Sequence, residues 1–130
     1  MRIRGTDFVM FKVSDLARAA AFYRELLCLP QEVYSEADQW AEFNCGNVTL
    51  SLHGGAEPEK IAGGTIALAV EDVPAAYAEV KGKGARVAGE PVDYGVCRAF
   101  QVLDPDGNTV IIHKRSDGTY GQECECDPQP

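Results

Sequence analysis

Val13-Ser14-Asp15-Leu16 opens an Ala-rich segment, and Val70-Glu71-Asp72-Val73 opens another one 57 residues later. A second pair of stretches repeats the plan. Cys45-Gly46-Asn47 leads into the apolar run Val48 to Leu52, and Asp106-Gly107-Asn108 leads into Thr109 to Ile112, at an offset of 61. A repeat of this length in a chain of 130 residues means two copies of one supersecondary unit, sharing one sheet or one cavity.

Working outward, residues 7 to 13 alternate, with Val9, Phe11 and Val13 on one side and Phe8, Met10 and Lys12 on the other. Period two predicts a strand with one face on the core. Asp15 is placed to cap a helix over 15–28, whose apolar positions Leu16, Ala19, Ala20, Tyr23 and Leu27 recur at three and four, and which Pro30 ends. Gln31 to Ser35, Gln39 to Asn44 and Asn47 to His53 read as three strands. Each unit therefore reads βαβββ. The second has Thr65 to Val70, a helix over 72–83 capped by Asp72 with Pro74 in its first turn, then Arg86 to Ala88, Cys97 to Leu103 and Asn108 to Lys114. The repeats span 5–53 and 64–114, with a hinge at 54–63, in a single domain over 1–115. The Gly, Pro and acidic content of 116–130 predicts a flexible acidic tail.

The chain is long enough for a core without staples, and its 45% hydrophobic content is ordinary for a globular domain. A net charge of −8 lacks the basic stripe that nucleic acid requires. It is compatible with a cationic ligand. No apolar stretch reaches the ~18 residues of a membrane span, and no apolar segment follows Met1-Arg2-Ile3-Arg4 to make a signal peptide. Five scattered cysteines predict free thiols and a cytoplasmic location.

Val13-Ser14-Asp15-Leu16 with Phe22-Tyr23 and Leu27-Cys28-Leu29, Val70-Glu71-Asp72-Val73 with Gly84-Ala85, and above all Asp104-Pro105-Asp106-Gly107-Asn108 resemble the vicinal oxygen chelate superfamily. That superfamily includes glyoxalase I, extradiol dioxygenases and bleomycin-resistance proteins. In it, Gly commonly takes the place of Cys28. The resemblance covers roughly residues 5 to 115 and implies an α+β fold in which two βαβββ repeats form a cupped eight-stranded sheet. Members pair such units edge to edge, within or across chains, so a homodimer is also implied.

The family usually places His, Gln or Glu metal ligands on the first and last strand of each unit. Counted from the shared motifs, those positions are Phe8, Leu50, Thr65 and Ile111. None is a competent ligand for a divalent cation, so neither metal nor other cofactor is expected. Alternation turns Phe8, Met10, Leu50 and Leu52 of the first unit toward the cup, and Thr65, Ala67, Ile111 and His113 of the second. With Trp40 on the neighbouring hairpin, these nine are the expected ligand-binding residues. Such a greasy pocket with polar groups at its rim suits a small molecule. The same side chains could equally fill the cup as core.

Other residues carry weaker suggestions. His53 and His113 both end strands near repeat-equivalent places, and with Glu42 could make a displaced metal site. Tyr34, Tyr94 and Phe100 could stack a planar ligand. Glu42 and Asp93 could serve as base or counter-charge. Cys124-Glu125-Cys126 lacks the paired CxxC spacing of a zinc site.

Two functions follow. One is metal-free sequestration of a hydrophobic or amphipathic small molecule. The other is a lyase or dioxygenase-type enzyme that uses displaced metal ligands or a metal-free acid or base. The fold hosts both, and the catalytic residues of the second are not identifiable from sequence.

Overall fold

The structure, a computed structural model, describes residues 1–4, 6–61 and 63–121. The Cys124/Cys126 pair and most of the acidic tail lie outside the described residues. Ser116 to Gly121 are described and exposed.

The first unit runs β1 (Phe8–Lys12), α1 (Leu16–Ala21), β2 (Gln31–Ser35), β3 (Trp40–Asn44) and β4 (Thr49–His53). The second runs β5 (Thr65–Ala69), α2 (Val73–Gly82), β6 (Arg86–Val87), β7 (Val92–Asp93), β8 (Cys97–Leu103) and β9 (Thr109–Arg115). Each unit forms its own sheet, in the orders β1-β4-β3-β2 and β5-β9-β8-β6, with the extra strand β7 alongside β8. In both, the first strand pairs in parallel with the last, Phe8 opposite Thr49 and Thr65 opposite Thr109. The helix in between supplies the crossover that a parallel pair requires.

The helices start where their caps place them. Asp15 accepts from the Arg18 backbone N–H at 3.1 Å, and Asp72 accepts from that of Ala75 at 2.9 Å. The first helix departs from expectation at its other end. After Ala21 it widens into a π-helical turn, Phe22–Leu26, and stops at Cys28, two residues before Pro30. Cys28 holds φ at +60°, the left-handed setting that reverses the chain at a helix end. The Leu29 N–H then turns back to the Tyr23 carbonyl at 3.0 Å. A side chain in this conformation costs about 1–2 kcal/mol that Gly avoids.

Burial marks the side of each sheet that meets its helix. Phe11, Ala41, Phe43, Leu50 and Leu52 pack with Leu16, Ala19, Ala20 and Tyr23. Phe100, Val102, Val110 and Ile112 pack with Val73 and Val80. The ladder therefore overturns the expected placement of Leu50 and Leu52, which are fully buried under α1 and not on the open face. The cause is one residue. The turn Cys45-Gly46-Asn47 matches Asp106-Gly107-Asn108 at an offset of 61, but the strands that follow match Thr49 to Thr109, at 60. Four residues, 45–48, join Asn44 to its partner Thr49, against five, 104–108, between Leu103 and Thr109, and in the shorter turn Val48 still precedes the strand, its carbonyl accepting from the Cys45 N–H at 3.0 Å. A slip of one residue turns every side chain of a strand to the opposite face.

The Asp104–Asn108 turn also joins the units. Asp104 accepts the Tyr23 hydroxyl at 2.8 Å, and its other oxygen accepts the backbone N–H groups of Asp106 and Asn108. Asp106 accepts the Ser14 hydroxyl at 2.6 Å, while Asn108 receives the Gly64 N–H at 2.8 Å. Buried polar side chains of this kind persist because each has its partners.

Candidate functional site

The sheet faces turned away from the helices carry the residues of interest. On the first sheet the register sets Met10, Ser51 and Glu42 in one row across β1, β4 and β3, and Lys12, His53 and Trp40 in the next. The Phe8 and Trp40 rings meet edge to face with centroids 5.8 Å apart, a favourable aromatic geometry, and His53 lies 6.0 Å from Trp40. Phe8 is 49% exposed and Met10 39%, large apolar groups left in reach of solvent. Ser51, on the same face, is fully buried, and its hydroxyl has no hydrogen-bond partner.

On the second sheet, Thr65, Ala67 and Ala69 stand beside Thr109, Ile111 and His113. The β5 side chains are exposed, and those of β9 are half-buried. Thus seven of the expected residues, Phe8, Met10, Trp40, Thr65, Ala67, Ile111 and His113, occupy the two open faces, and Leu50 and Leu52 do not. Ser51 was missed. The two histidines held the signal, since His53 and His113 stand 60 residues apart, the offset of the strands.

Correcting the register makes the four positions at which the family carries metal ligands Phe8, Ser51, Thr65 and Ile111. Two hydrocarbons and two neutral hydroxyls do not fit a divalent ion. Among the described residues no three His, Cys, Asp or Glu side chains are grouped to hold a metal, so His53, His113 and Glu42 do not form the displaced site. Tyr34 pairs with Ala41 and so belongs to the helix-side face. Phe100 is core, meeting Tyr77 edge to face with centroids 5.3 Å apart, and Tyr94 is an exposed turn residue. Asp93 accepts from the Gly95 N–H and pairs with Arg98 at 3.1 Å; these contacts hold its carboxyl below the usual range and suit it to a turn and not to a base.

A cavity of about 730 Å³ opens along the free edge of β5, between α2 and the Cys45–Val48 turn. Its walls include Leu27, Leu29, Val48, Leu68 and Val80, and of the nine expected residues only Ala67 and His113 reach it. The expected cavity lined jointly by Phe8, Met10, Trp40 and their partners is therefore not this one. It arises from a difference between the repeats. Val80 stands where the 57-residue offset places Tyr23 in the first unit, and its shorter side chain does not bridge to the facing turn. Burial pushes the Cys45 thiol in this wall above its ordinary pKa, which disfavours the reactive thiolate.

Comparison with known proteins agrees with this architecture. TnmS3, an antibiotic binding protein from Streptomyces sp. CB03234, superposes with a TM-score of 0.77 at 24% identity, over 89% of this chain and 99% of that one. Lactoylglutathione lyase from Agrobacterium tumefaciens gives 0.72 at 18%, over 86% and 94%. TioX from Micromonospora sp. ML1 gives 0.72 at 16%, over 85% and 98%. Identities this low speak for the fold alone. No curated protein matches the sequence. The profile of the Glyoxalase/Bleomycin resistance protein/Dioxygenase superfamily matches residues 5–112, and the chain belongs to that superfamily.

Proposed function

We propose that this chain is a small-molecule-binding protein that holds a hydrophobic or amphipathic ligand on its open sheet faces without a metal. The observation that carries the reading is the Phe8–Trp40 pair, with Phe8 and Met10 exposed on a face whose ligand positions suit no ion. Phe8, Met10, Trp40, Thr65, Ala67, Ile111 and His113 are the proposed contacts. Aromatic stacking would orient the ligand, and Glu42 together with the net charge of −8 favours a cation. An antibiotic-binding structural neighbour is in keeping with such a role.

Two further features support the setting. β1 and β5 each present a free sheet edge beside these faces, which favours a homodimer joined there. Cys28, Cys45 and Cys97 are free thiols, as expected in the cytoplasm, and no described helix is long and apolar enough to cross a membrane.

Calorimetric titration with tryptamine, a planar aromatic cation, tests the reading. Binding should weaken about 2- to 10-fold in Phe8→Ala and in Trp40→Ala, the range of one aromatic contact. No heat at millimolar tryptamine, or native affinity in both variants, would refute it.

A further inference from the structure

We infer that Ser51 is the polar recognition point of the open face, and that it selects aromatic ligands bearing a hydroxyl group. The inference rests on the binding role proposed above. Three observations lead to it.

The first is that the Ser51 hydroxyl is fully buried and unpartnered, whereas the other two fully buried polar side chains among the described residues, Asp104 and Asn108, are richly hydrogen-bonded. The second is its strand. β4 is flanked by β1 and β3, so backbone groups on both of its edges are taken up by the ladders, and the hydroxyl has little to turn to within its own strand. An apolar residue would suit a closed core better, and the second unit has Ile111 at the equivalent place. The third is its surroundings. Met10 and Glu42 flank Ser51 in the row, and Phe8, half exposed, leans edge-on against Trp40 on the same face.

A ligand ring entering beside Trp40 would thus meet one hydrogen-bonding group at depth and one carboxylate next to it. Its matching chemistry is an aromatic amine with a hydroxyl on the ring. The Ser51 oxygen can accept that proton or donate its own. A site built around a buried polar group penalises an analogue that leaves the group unpaired.

The test compares 5-hydroxytryptamine with tryptamine, which differ only in the hydroxyl, by calorimetry on the full chain and on Ser51→Ala. The native protein should bind the hydroxylated amine at least about 10-fold more tightly. Ser51→Ala should abolish that preference, keep the tryptamine affinity, and raise Tm by removing an unpaired buried group. A preference that survives in Ser51→Ala, or equal affinities in the native protein, overturns the inference and leaves the binding reading intact. If neither amine binds the native protein, both fall.

Discussion

The hydroxyl of Tyr23 leaves the core of the first unit to donate to Asp104 of the second at 2.8 Å. It links a helix residue to the turn that opens the closing strand, and both groups are buried. Tyr23→Phe keeps the ring packing and removes only this bond, leaving an Asp104 oxygen with Asn108 as its side-chain partner. The variant should lose about 1–3 kcal/mol in urea denaturation, the cost of a hydrogen bond to a charged acceptor.

The same tyrosine makes stability depend on alkaline pH. Burial first, then the negative charge of Asp104 and the bond to it, raise the Tyr23 pKa well above its usual 10.0. The unfolded chain then releases a proton that the folded one keeps. The contribution is present in full below pH about 10 and declines as pH rises beyond it. A plot of unfolding free energy against pH should bend downward there, and less so in Tyr23→Phe.

Gly64 tests the approach of the units from another side. A Cβ at this position would enter the Phe11 ring, which is itself packed in the core. Gly64→Ala should cost about 1–3 kcal/mol, as overpacking does. Thermal denaturation would show it, and a loss under ~0.5 kcal/mol would mean that the ring has room to give.

Leu50→Ala distinguishes core from site. Fully buried, Leu50 should cost about 2–5 kcal/mol when truncated. The tryptamine affinity of the remaining folded protein should not change. A changed affinity at small cost would return Leu50 to the open face.

Val80→Phe probes the cavity beside α2. Space there should hold the ring for less than ~1 kcal/mol in chemical denaturation, whereas a closed core would charge about 1–3.

The elements were legible because each rests on local rules. Period-two alternation marks β1 and β5, Asp15 and Asp72 cap their helices, and Gly107, with φ at +85°, turns the chain before β9. The candidate site was less so, since a face depends on register and register on the length of a turn. The first unit's turn has four residues against five in the second, so matching the two turns glycine to glycine sent Leu50 and Leu52 to the wrong side and hid Ser51. The π-helical turn and the double use of Asp104 were invisible for other reasons. The first is a matter of backbone bonding that the apolar spacing does not report, and the second depends on side chains that meet only after the two units have folded together.

The parallel pairing of first and last strands also orders the assembly of the chain in time. Phe8 must wait for Thr49, and Thr65 for Thr109. During synthesis the first unit can complete its sheet while the second is still unmade. It then stands with the Tyr23 hydroxyl beneath its helix and no Asp104 to receive it. A nascent first half is thus a finished sheet with an unfinished interior, dependent for its last bond on the turn that opens β9. Its partner turn arrives only with residues 104–108, so the two halves become one molecule only when the second unit is about to add its closing strand.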